Sequence, residues 1–521
     1  MTTFIEFIER HAQERPLDKA LSAPDGGVSI TWEQFNRRTD EIAGALVKEG
    51  VRKGDRIGIL DHNTIDAVEA SVGAVKAGAI AVPLNWRLAG PELGAILASF
   101  GPRMVFSSAG LRPLLDEANA GVGAQVIELG TGGYAAWRNA GAGVAIEKPS
   151  NDPALPVCIM YTSGSTGAPK GVVFPNSAFS TVLPGVVQDE GIAADSVLLQ
   201  VLPLFHIGGF AWLASAFIAG SESVLLPAAA PDSILQAVET YGVTHLCVVS
   251  TLLGLLIQEY RRNPTDTTTL SMIQCGGSPI PDAHLREAAR IFGASFVTLY
   301  GLSEAGGLVA NQILTPAMID AGLDEQRLLS AGTAVGGVEV AIRDLDTGED
   351  LPANADGEIV TRTTGGMSGY WNEPAKTAEV LSADGWLRTG DVGSLDEDGF
   401  LFIKSRVKDM IISGGENIYP AEIENVLVAH PGISAAAVVG VPHPKWGESP
   451  VAFITLHHGA VVTDEEAIAW CRERLASYKR PQAVFVADDL PRLGGGKVDR
   501  PALRAQAGST FAVSAAADAV R

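Results

Sequence analysis

The sequence has few cysteines, few aromatic residues and little positive charge. Of 521 residues, four are cysteine and 6% are aromatic. The cysteines are far apart, lack CxxC spacing and lie in apolar runs, which predicts reduced core thiols and excludes a disulfide framework or a zinc site. Such thiols are typical of a cytoplasmic protein, and we expect that location. The four are Cys158, Cys247, Cys275 and Cys471.

The charge balance and the hydropathy exclude further classes. The chain carries 38 Lys+Arg against 60 Asp+Glu, a net charge of -22, which repels nucleic acid, so a phosphate ligand would need a local site. No uncharged stretch approaches the ~20 apolar residues of a transmembrane helix, and Thr3 with Glu6 forms a capping box that predicts a folded helix at the N-terminus. Hydrophobic residues at 46% are enough for large cores.

Strand-like apolar runs alternate with helical runs through the first four hundred residues. Two of the strand-like runs, His245–Val249 and Ser295–Tyr300, enclose helical runs at Leu252–Arg261 and Asp282–Phe292. This rhythm predicts an α/β fold with helix-covered, mostly parallel sheets, whose ligands bind at the carboxyl ends of the strands. Two further strand-like runs are Val157–Tyr161 and Ser223–Leu226.

After about residue 400 the pattern changes to shorter elements, which predicts a separate small α+β unit. We therefore expect an N-terminal domain over residues 1–404, a hinge over 405–409, a mobile C-terminal domain over 410–504 and a flexible tail over 505–521. The expected elements of the small domain are Ala421–Ala429, Ala435–Val441, Val451–Leu456, Glu465–Leu475 and Ala483–Ala487.

The strongest local signal is a loop rich in Ser, Thr and Gly that follows the strand-like run Val157–Tyr161. It offers hydroxyl and backbone donors and one cation to phosphate oxygens. It is not a Walker P-loop, because Ala168-Pro169 separates Gly167 from Lys170. The candidate phosphate-binding residues are Thr162, Ser163, Gly164, Ser165, Thr166, Gly167 and Lys170.

This loop resembles the signature of the adenylate-forming enzymes, the family of acyl-CoA and aryl-CoA ligases, adenylation domains and luciferases. Further segments resemble that family in the same order over nearly the whole chain. They are Leu202–Gly209, Gly276–Pro279, Leu299–Glu304, Thr389–Asp391, Ser413–Ile418 and Gly494–Arg500. The resemblance implies a large AMP-binding domain and a small mobile one, and it implies roles for individual residues.

The implied catalytic residues are Lys497, Glu304, His206 and Lys170. Glu304 would also hold Mg²⁺, and Lys408 would lie at the hinge. ATP or AMP would further contact Gly277, Ser278, Pro279, Tyr300, Gly301, Ser303, Asp391 and Arg406. The acyl pocket would include His206, Ile207, Phe210, Ser250, Gly276 and Leu302. CoA would contact Gly414, Gly415, Trp446, Tyr478 and Arg480.

The implied activity is that of an ATP-dependent carboxylic acid–CoA ligase, which forms acyl-CoA through acyl-AMP and releases AMP and pyrophosphate. The expected partners are ATP, Mg²⁺, CoA and a small monocarboxylic acid. Because the pocket residues are mostly apolar, we expect an aryl acid or a medium- or long-chain fatty acid. A homodimer is a further option. Four alternatives stay open: a stand-alone enzyme that loads a carrier protein, a luciferase-like oxygenase, a non-catalytic adenylate-binding protein, and a serine hydrolase. The last two are disfavoured. A non-catalytic protein should have lost Lys497 or Glu304, and both are present. A serine hydrolase with G-x-S-x-G would need glycine where the chain has Ala305.

Overall fold

The computed structural model describes residues 3–147, 151–162, 169–277, 280, 282–320, 325–328, 330–413, 416–443, 445–492 and 498–508. The chain divides into two units. One comprises Met1–Val340, Val360–Arg388 and Asp398–Leu401, and the other comprises Ala341–Ile359, Thr389–Glu397 and Phe402–Arg521. The second unit thus contains two segments that lie before residue 400. The linear division at residue 404 and the hinge at 405–409 remain predictions.

The strands and helices follow the rhythm expected from the sequence. The strands are β1 (Lys19–Ala23), β2 (Val28–Thr31), β3 (Arg56–Leu60), β4 (Ile80–Pro83), β5 (Met104–Ser108), β6 (Gln125–Leu129), β7 (Pro156–Thr162), β8 (Lys170–Pro175), β9 (Val197–Gln200), β10 (Glu222–Leu225), β11 (His245–Val249), β12 (Met272–Gly276), β13 (Ser295–Tyr300), β14 (Ala310–Leu314), β15 (Thr333–Ala334), β16 (Val338–Arg343), β17 (Gly357–Thr363), β18 (Gly369–Tyr370), β19 (Trp386–Leu395), β20 (Leu401–Arg406), β21 (Ile411–Ser413), β22 (Glu416–Ile418), β23 (Ile433–His443), β24 (Gly447–Leu456) and β25 (Ala483–Val486). The helices are α1 (Phe4–Glu14), α2 (Trp32–Lys48), α3 (Ile65–Lys76), α4 (Gly90–Phe100), α5 (Arg112–Asn119), α6 (Gly132–Asn139), α7 (Leu183–Asp189), α8 (Ile207–Ala219), α9 (Pro231–Tyr241), α10 (Ser250–Arg262), α11 (Asp282–Phe292), α12 (Pro316–Asp320), α13 (Glu325–Leu328), α14 (Pro374–Val380), α15 (Pro420–Val428) and α16 (Asp464–Arg474).

Two helix-covered sheets form the first unit. One has seven strands in the order β18-β8-β7-β4-β3-β5-β6 and the other has nine, in the order β15-β14-β13-β12-β11-β9-β10-β1-β2. Their central strands pair in parallel, whereas β8, β14 and the edge strands beside them are antiparallel. A four-stranded sheet, β16-β17-β19-β20, contains the positions at which the chain passes between the units. The predicted fold class is confirmed.

The cores follow the side-chain alternation of the strands. In β12, Ile273 and Cys275 belong to a buried cluster with residues of α9, α10 and α11, so Gln274 and Gly276 face the other side of the sheet. All four cysteines are buried and free, as expected. The capping box of Thr3 and Glu6 begins α1. Among the described residues we find no helix with the length and the apolar character that a membrane crossing requires.

The second unit packs apolar side chains on both faces of a sheet with the order β22-β21-β24-β23, in which β25 also pairs with β24. One face is covered by α15 and α16, and the other by the chain near its described end. There Leu503 and Ala507 are fully buried beside Phe453. Residues 505–508 of the predicted tail are thus part of the described structure, and residues 509–521 lie outside it.

Candidate active site

Four parallel strands of the nine-stranded sheet end side by side and position the predicted pocket residues. In register, Val249 of β11 pairs with Gly276 of β12, which pairs with Leu299 of β13. The chain leaving these strands supplies Ser250 and Leu302 at the same edge. Strand β9, on the other side of β11, leads towards His206. Carboxyl ends of parallel strands are where such folds bind ligands, as the sequence predicted.

A tight turn after β13 carries Ser303 and Glu304, in a short 3₁₀ helix that follows Leu302. Its glycines permit a close backbone approach: a Cβ on Gly301 would overlap the carbonyl of Gly307, and a Cβ on Gly306 would overlap that of Gly365. Gly306 also has a φ of +83°, which favours glycine. A side chain at any of these positions would displace the backbone beside Glu304.

Glu304 and Lys170 both contact one aromatic residue, Tyr370 of β18. The Tyr370 hydroxyl donates a hydrogen bond of 2.8 Å to Glu304 Oε1. Lys170 Nζ lies 4.8 Å from the centroid of the Tyr370 ring. Burial, and next the charge of Glu304, raise the pKa of the Tyr370 phenol, so it keeps its proton and donates. The structure thus brings together a predicted phosphate-binding cation and a predicted metal-binding carboxylate.

The Glu304 carboxylate fits a magnesium site of the kind that phosphate substrates complete. Mg²⁺ takes oxygen ligands and is often held by one or two carboxylates together with substrate phosphates. Among the described residues, no group of three or more His, Cys, Asp or Glu residues is arranged to hold a metal alone. A single carboxylate beside a phosphate-binding cation therefore suits an ion that arrives with a nucleotide.

His206 is the N-cap residue of α8 and is exposed, with its ring centroid 4.5 Å from that of Phe205. The segment before it is fixed by the buried Asn63. The Asn63 side-chain amide donates to the carbonyls of Gln200 and Leu202 at 3.3 and 3.2 Å, and its carbonyl accepts from the Leu204 amide at 3.3 Å. Asn63 follows β3 of the other sheet, so it links the two sheets just before His206.

Two other predicted acyl-pocket residues follow His206. A Cβ on Gly307 would lie 2.8 Å from Ile207, so the beginning of α8 packs beside the turn that carries Glu304. Phe210 is buried and its ring centroid lies 5.0 Å from that of Phe179. Whether these side chains contact an acyl group stays a prediction.

The remaining nucleotide residues of the first unit lie at strand ends. Thr162 ends β7 and pairs with Lys170 across a hairpin, and Tyr300 ends β13 and is buried. Gly277 follows β12 with a φ of +82°. Seven predicted residues lie outside the described part of the chain: Ser163, Gly164, Ser165, Thr166, Gly167, Ser278 and Pro279.

In the second unit, two of the predicted nucleotide-binding residues, Asp391 and Arg406, form an ion pair. Arg406 Nε lies 2.7 Å from Asp391 Oδ1, and the Asp391 side chain is buried whereas that of Arg406 is about half exposed. The Thr389 hydroxyl donates to the carbonyl of Ile359 at 2.7 Å and accepts from the Asp391 amide at 3.1 Å. Asp391 is therefore held by a side chain and by its own backbone turn.

The predicted CoA residues lie on turns of the second unit. Trp446 and Tyr478 are exposed by 43% and 41%, which leaves both rings accessible. Lys445 Nζ lies 4.4 Å from the centroid of the Trp446 ring, and Arg480 donates to the carbonyl of Leu475 at 3.2 Å. The predicted hinge residue Lys408 is exposed in a 3₁₀ helix. Gly414 and Gly415 lie outside the described residues.

Lys497 also lies outside the described residues, but the chain on either side of it is fixed. Arg492 and Val498 form an antiparallel bridge. Arg500 donates from Nη1 and Nη2 to the two oxygens of Glu424 at 2.7 and 3.1 Å, and from Nη1 to the carbonyl of Val438 at 2.6 Å. This Arg–carboxylate pair anchors the chain that follows Val498 to α15 and β23.

Two family models match the chain. The AMP-binding enzyme model matches residues 8–371, and the model of the AMP-binding enzyme C-terminal domain matches residues 422–497. The chain therefore belongs to the AMP-binding enzyme family, the adenylate-forming superfamily. The predicted superfamily and the predicted enzyme class, an AMP-forming acid–thiol ligase, are confirmed.

Similar proteins span the whole chain. The fatty acid–[acyl-carrier-protein] ligase ScoC of Streptomyces coeruleorubidus is 36% identical over 509 residues, 97% of this chain and 96% of its own. A feruloyl-CoA synthase of Amycolatopsis sp. is 35% identical over 497 residues, 94% of this chain and 96% of its own. The o-succinylbenzoate CoA synthetase MenE of Bacillus subtilis, solved with the acyl-adenylate intermediate OSB-AMP, has a TM-score of 0.83 at 30% identity, covering 96% of this chain and 97% of MenE. MenE has also been solved with ATP and a magnesium ion, with a TM-score of 0.81 at 30% identity, covering 95% of this chain and 98% of MenE.

Sequence reasoning missed Tyr370, Asn63 and Arg500. Tyr370 lies on a two-residue strand, too short for a periodic pattern; the only signal near it is the glycine-rich run from Gly365 to Gly369. Asn63 acts through long-range hydrogen bonds, which leave no local pattern. Arg500 is the last residue of the predicted lysine motif, but the motif assigned no role to it.

Proposed function

We propose that this protein is an ATP-dependent carboxylic acid–CoA ligase. In the first step, a carboxylate oxygen of the acid attacks the α-phosphorus of ATP, the bond to the β-phosphate oxygen breaks, and pyrophosphate leaves. In the second step, the thiolate of CoA attacks the acyl carbon of the mixed anhydride, and AMP leaves with the bonding pair. Adenylation is needed because a free carboxylate would otherwise have to expel oxide.

The observation that carries this proposal is that Lys170 at the beginning of β8, Tyr370 at the end of β18 and Glu304 in the turn after β13 lie together. Lys170 supplies positive charge to the phosphates, and Tyr370 holds the Glu304 carboxylate in one orientation. Mg²⁺ at that carboxylate would neutralise phosphate charge. Removing one such preorganised group typically costs ~10²–10³-fold in rate.

Other residues position the nucleotide and the carboxylate. Tyr300 packs against adenine, Ser303 contacts the α-phosphate, and Asp391 accepts from the ribose hydroxyls with Arg406 beside it. His206 borders the reacting carboxylate. Holding both reactants in attack geometry supplies much of the rate enhancement in phosphoryl and nucleotidyl transfer.

The second unit supplies the groups that differ between the two half-reactions. Lys497 stabilises negative charge during adenylation, and rotation about Lys408 replaces it with the surface of Trp446, Tyr478 and Arg480 for thioester formation. The exposure of both aromatic rings supports this role, since a nucleotide base can stack on them.

The acid is a monocarboxylic aryl acid or a medium- or long-chain fatty acid. The pocket residues are mostly apolar, and each buried CH₂ contributes ~0.8 kcal/mol, so acetate should be a poor substrate. A panel of acetate, octanoate, benzoate and malonate with ATP, Mg²⁺ and CoA, measured by AMP release, tests this proposal. The rate of AMP release with octanoate or benzoate should exceed the rate with acetate or malonate at least tenfold. Burial of about two CH₂ groups is enough for this difference. A preference for malonate would contradict it.

A carrier protein is the second candidate acceptor, favoured by the 36% identity to a fatty acid–[acyl-carrier-protein] ligase. The two acceptors can be separated by supplying a presynthesised acyl-AMP with either CoA or a phosphopantetheine-bearing acyl carrier protein and detecting the thioester by mass spectrometry. Trp446→Ala should raise the KM for CoA in the reaction with presynthesised acyl-AMP. Thioester on the carrier protein alone would assign the second function.

A further inference from the structure

Glu190 is a buried carboxyl group with no role in the proposed chemistry. It directly follows α7 and is 3% exposed. Its two carboxyl oxygens accept from the Gln274 side-chain amide at 3.0 and 3.3 Å, and the Asn311 side chain bonds to it as well. Burial raises the pKa of Glu190 to about 7, and the bonds from Gln274 and Asn311 oppose that rise.

The position of Glu190 in the fold relates it to the predicted acyl pocket. Gln274 lies two residues before Gly276 on β12, so both face the same side of the sheet, and Gln274 is roughly 7 Å below the strand end. Asn311 pairs with Leu299 across β13 and β14, and Leu299 pairs with Gly276. The carboxyl group is therefore held on the pocket face of the sheet, one layer below Gly276.

The side-chain oxygens of Glu190 have few other hydrogen-bonding groups around them, although His245 Nε2 lies 3.4 Å from the Glu190 backbone carbonyl. On the same face, Cys247 of β11 is in register with Gln274, and so is Val297 of β13. A carboxylate has about four acceptor positions, and in the part of the chain that the structure describes its donors come from two amide side chains. A ligand that reaches this layer would thus meet apolar walls and one polar end.

We propose that Glu190, fixed by Gln274 and Asn311, forms the far end of the acyl pocket and selects acids that carry a hydroxyl group at the end remote from the carboxylate. This inference rests on the proposed function. A methyl or unsubstituted ring edge placed against the carboxyl group would remove it from water without replacing a hydrogen bond, whereas a hydroxyl group would donate one. A second carboxylate would be repelled, which agrees with a monocarboxylic substrate.

Two matched pairs of acids test the inference: 4-hydroxycinnamate with cinnamate, and 8-hydroxyoctanoate with octanoate. We expect the hydroxylated acid to have the higher kcat/KM for pyrophosphate release in at least one pair at pH 8, where Glu190 with its pKa of about 7 is mostly ionised. The expected difference is about 10- to 100-fold, as a hydrogen bond to a charged group predicts. In Glu190→Leu this ratio should fall to about one or below. Asp189→Asn, which neutralises the neighbouring exposed carboxylate, is the matched control and should keep the wild-type ratio.

Each outcome decides the inference. A wild-type ratio near or below one in both pairs overturns it, and so does a folded Glu190→Leu variant that keeps the preference. If Glu190→Leu does not fold, Asn311→Ala replaces it: this variant keeps the carboxyl group but removes one of its supports, and its ratio should fall at least threefold. If none of the four acids supports pyrophosphate release from ATP, the proposed function fails. That result is distinct from a ratio near one, which overturns only the role of Glu190.

Discussion

The hydroxyl group of Tyr370 offers the sharpest test of the candidate active site. Tyr370→Phe removes the 2.8 Å hydrogen bond to Glu304 but keeps the ring that lies 4.8 Å from Lys170 Nζ. A hydrogen bond to a charged group is worth about 1.5–3 kcal/mol, and removing a residue that orients a metal ligand typically costs about 10–100-fold in metal affinity or activity. We therefore expect kcat/KM for pyrophosphate release to fall about 10–100-fold and the required Mg²⁺ concentration to rise.

The assay measures pyrophosphate release over a Mg²⁺ titration, and separately thioester formation from presynthesised acyl-AMP. The second reaction should stay within about twofold of wild type, since Glu304 is assigned to the ATP step. Tyr241→Phe in α9 controls for the loss of a tyrosine hydroxyl elsewhere in the first unit. An unchanged Mg²⁺ dependence together with an unchanged rate in Tyr370→Phe would refute the role of this hydrogen bond.

Three further predictions concern the second unit and the buried carboxyl group. Lys497→Ala should abolish acyl-AMP formation while sparing thioester formation from presynthesised acyl-AMP; equal loss in both assays would contradict its assignment. Lys408→Pro should do the opposite, because proline fixes φ and hinders rotation at the predicted hinge, and a wild-type thioester rate would sink that prediction. Glu190 has a pKa of about 7 in the folded protein against 4.5 for the ordinary side chain, so its contribution to stability is complete below pH 4.5 and is lost as the pH rises through 7. Between pH 5 and pH 8 the wild type should therefore lose about 3 kcal/mol more unfolding free energy than Glu190→Gln, and its melting temperature should fall more steeply. Equal falls in melting temperature in the two proteins would contradict the pKa shift of Glu190.

The elements around the site could be predicted because each leaves a periodic signal. The predicted strands His245–Val249 and Ser295–Tyr300 and the predicted helix Asp282–Phe292 have the bounds that the structure shows. The helix expected at Leu252–Arg261 instead begins at Ser250, because β11 passes into α10 without an intervening loop. Motifs that follow strands, such as Ser303-Glu304, are therefore placed by the strand pattern alone.

The contacts between distant segments could not be predicted in this way. Tyr370 reaches Glu304 because β18 pairs with β8, and a two-residue strand carries no alternation from which such a pairing could be read. Asn63 contacts Gln200 and Leu204 from another sheet. The assignment of Thr389–Glu397 to the second unit likewise depends on packing, which a linear reading of the chain does not contain.

The way Glu304 is held explains why glycines are needed around this turn. The segment from Gly365 to Tyr370 contacts Glu304 twice: the Met367 amide donates to the Glu304 carbonyl at 2.9 Å, and the Tyr370 hydroxyl donates to its carboxylate. Both bonds require the segment to lie against the turn at Gly306, where a Cβ would overlap the Gly365 carbonyl. Backbone and side chain of Glu304 are thus fixed by one short segment, and the close approach of that segment depends on the absence of a Cβ at Gly306. The precise positioning that the proposed reaction requires therefore depends on a glycine as well as on the charged side chains.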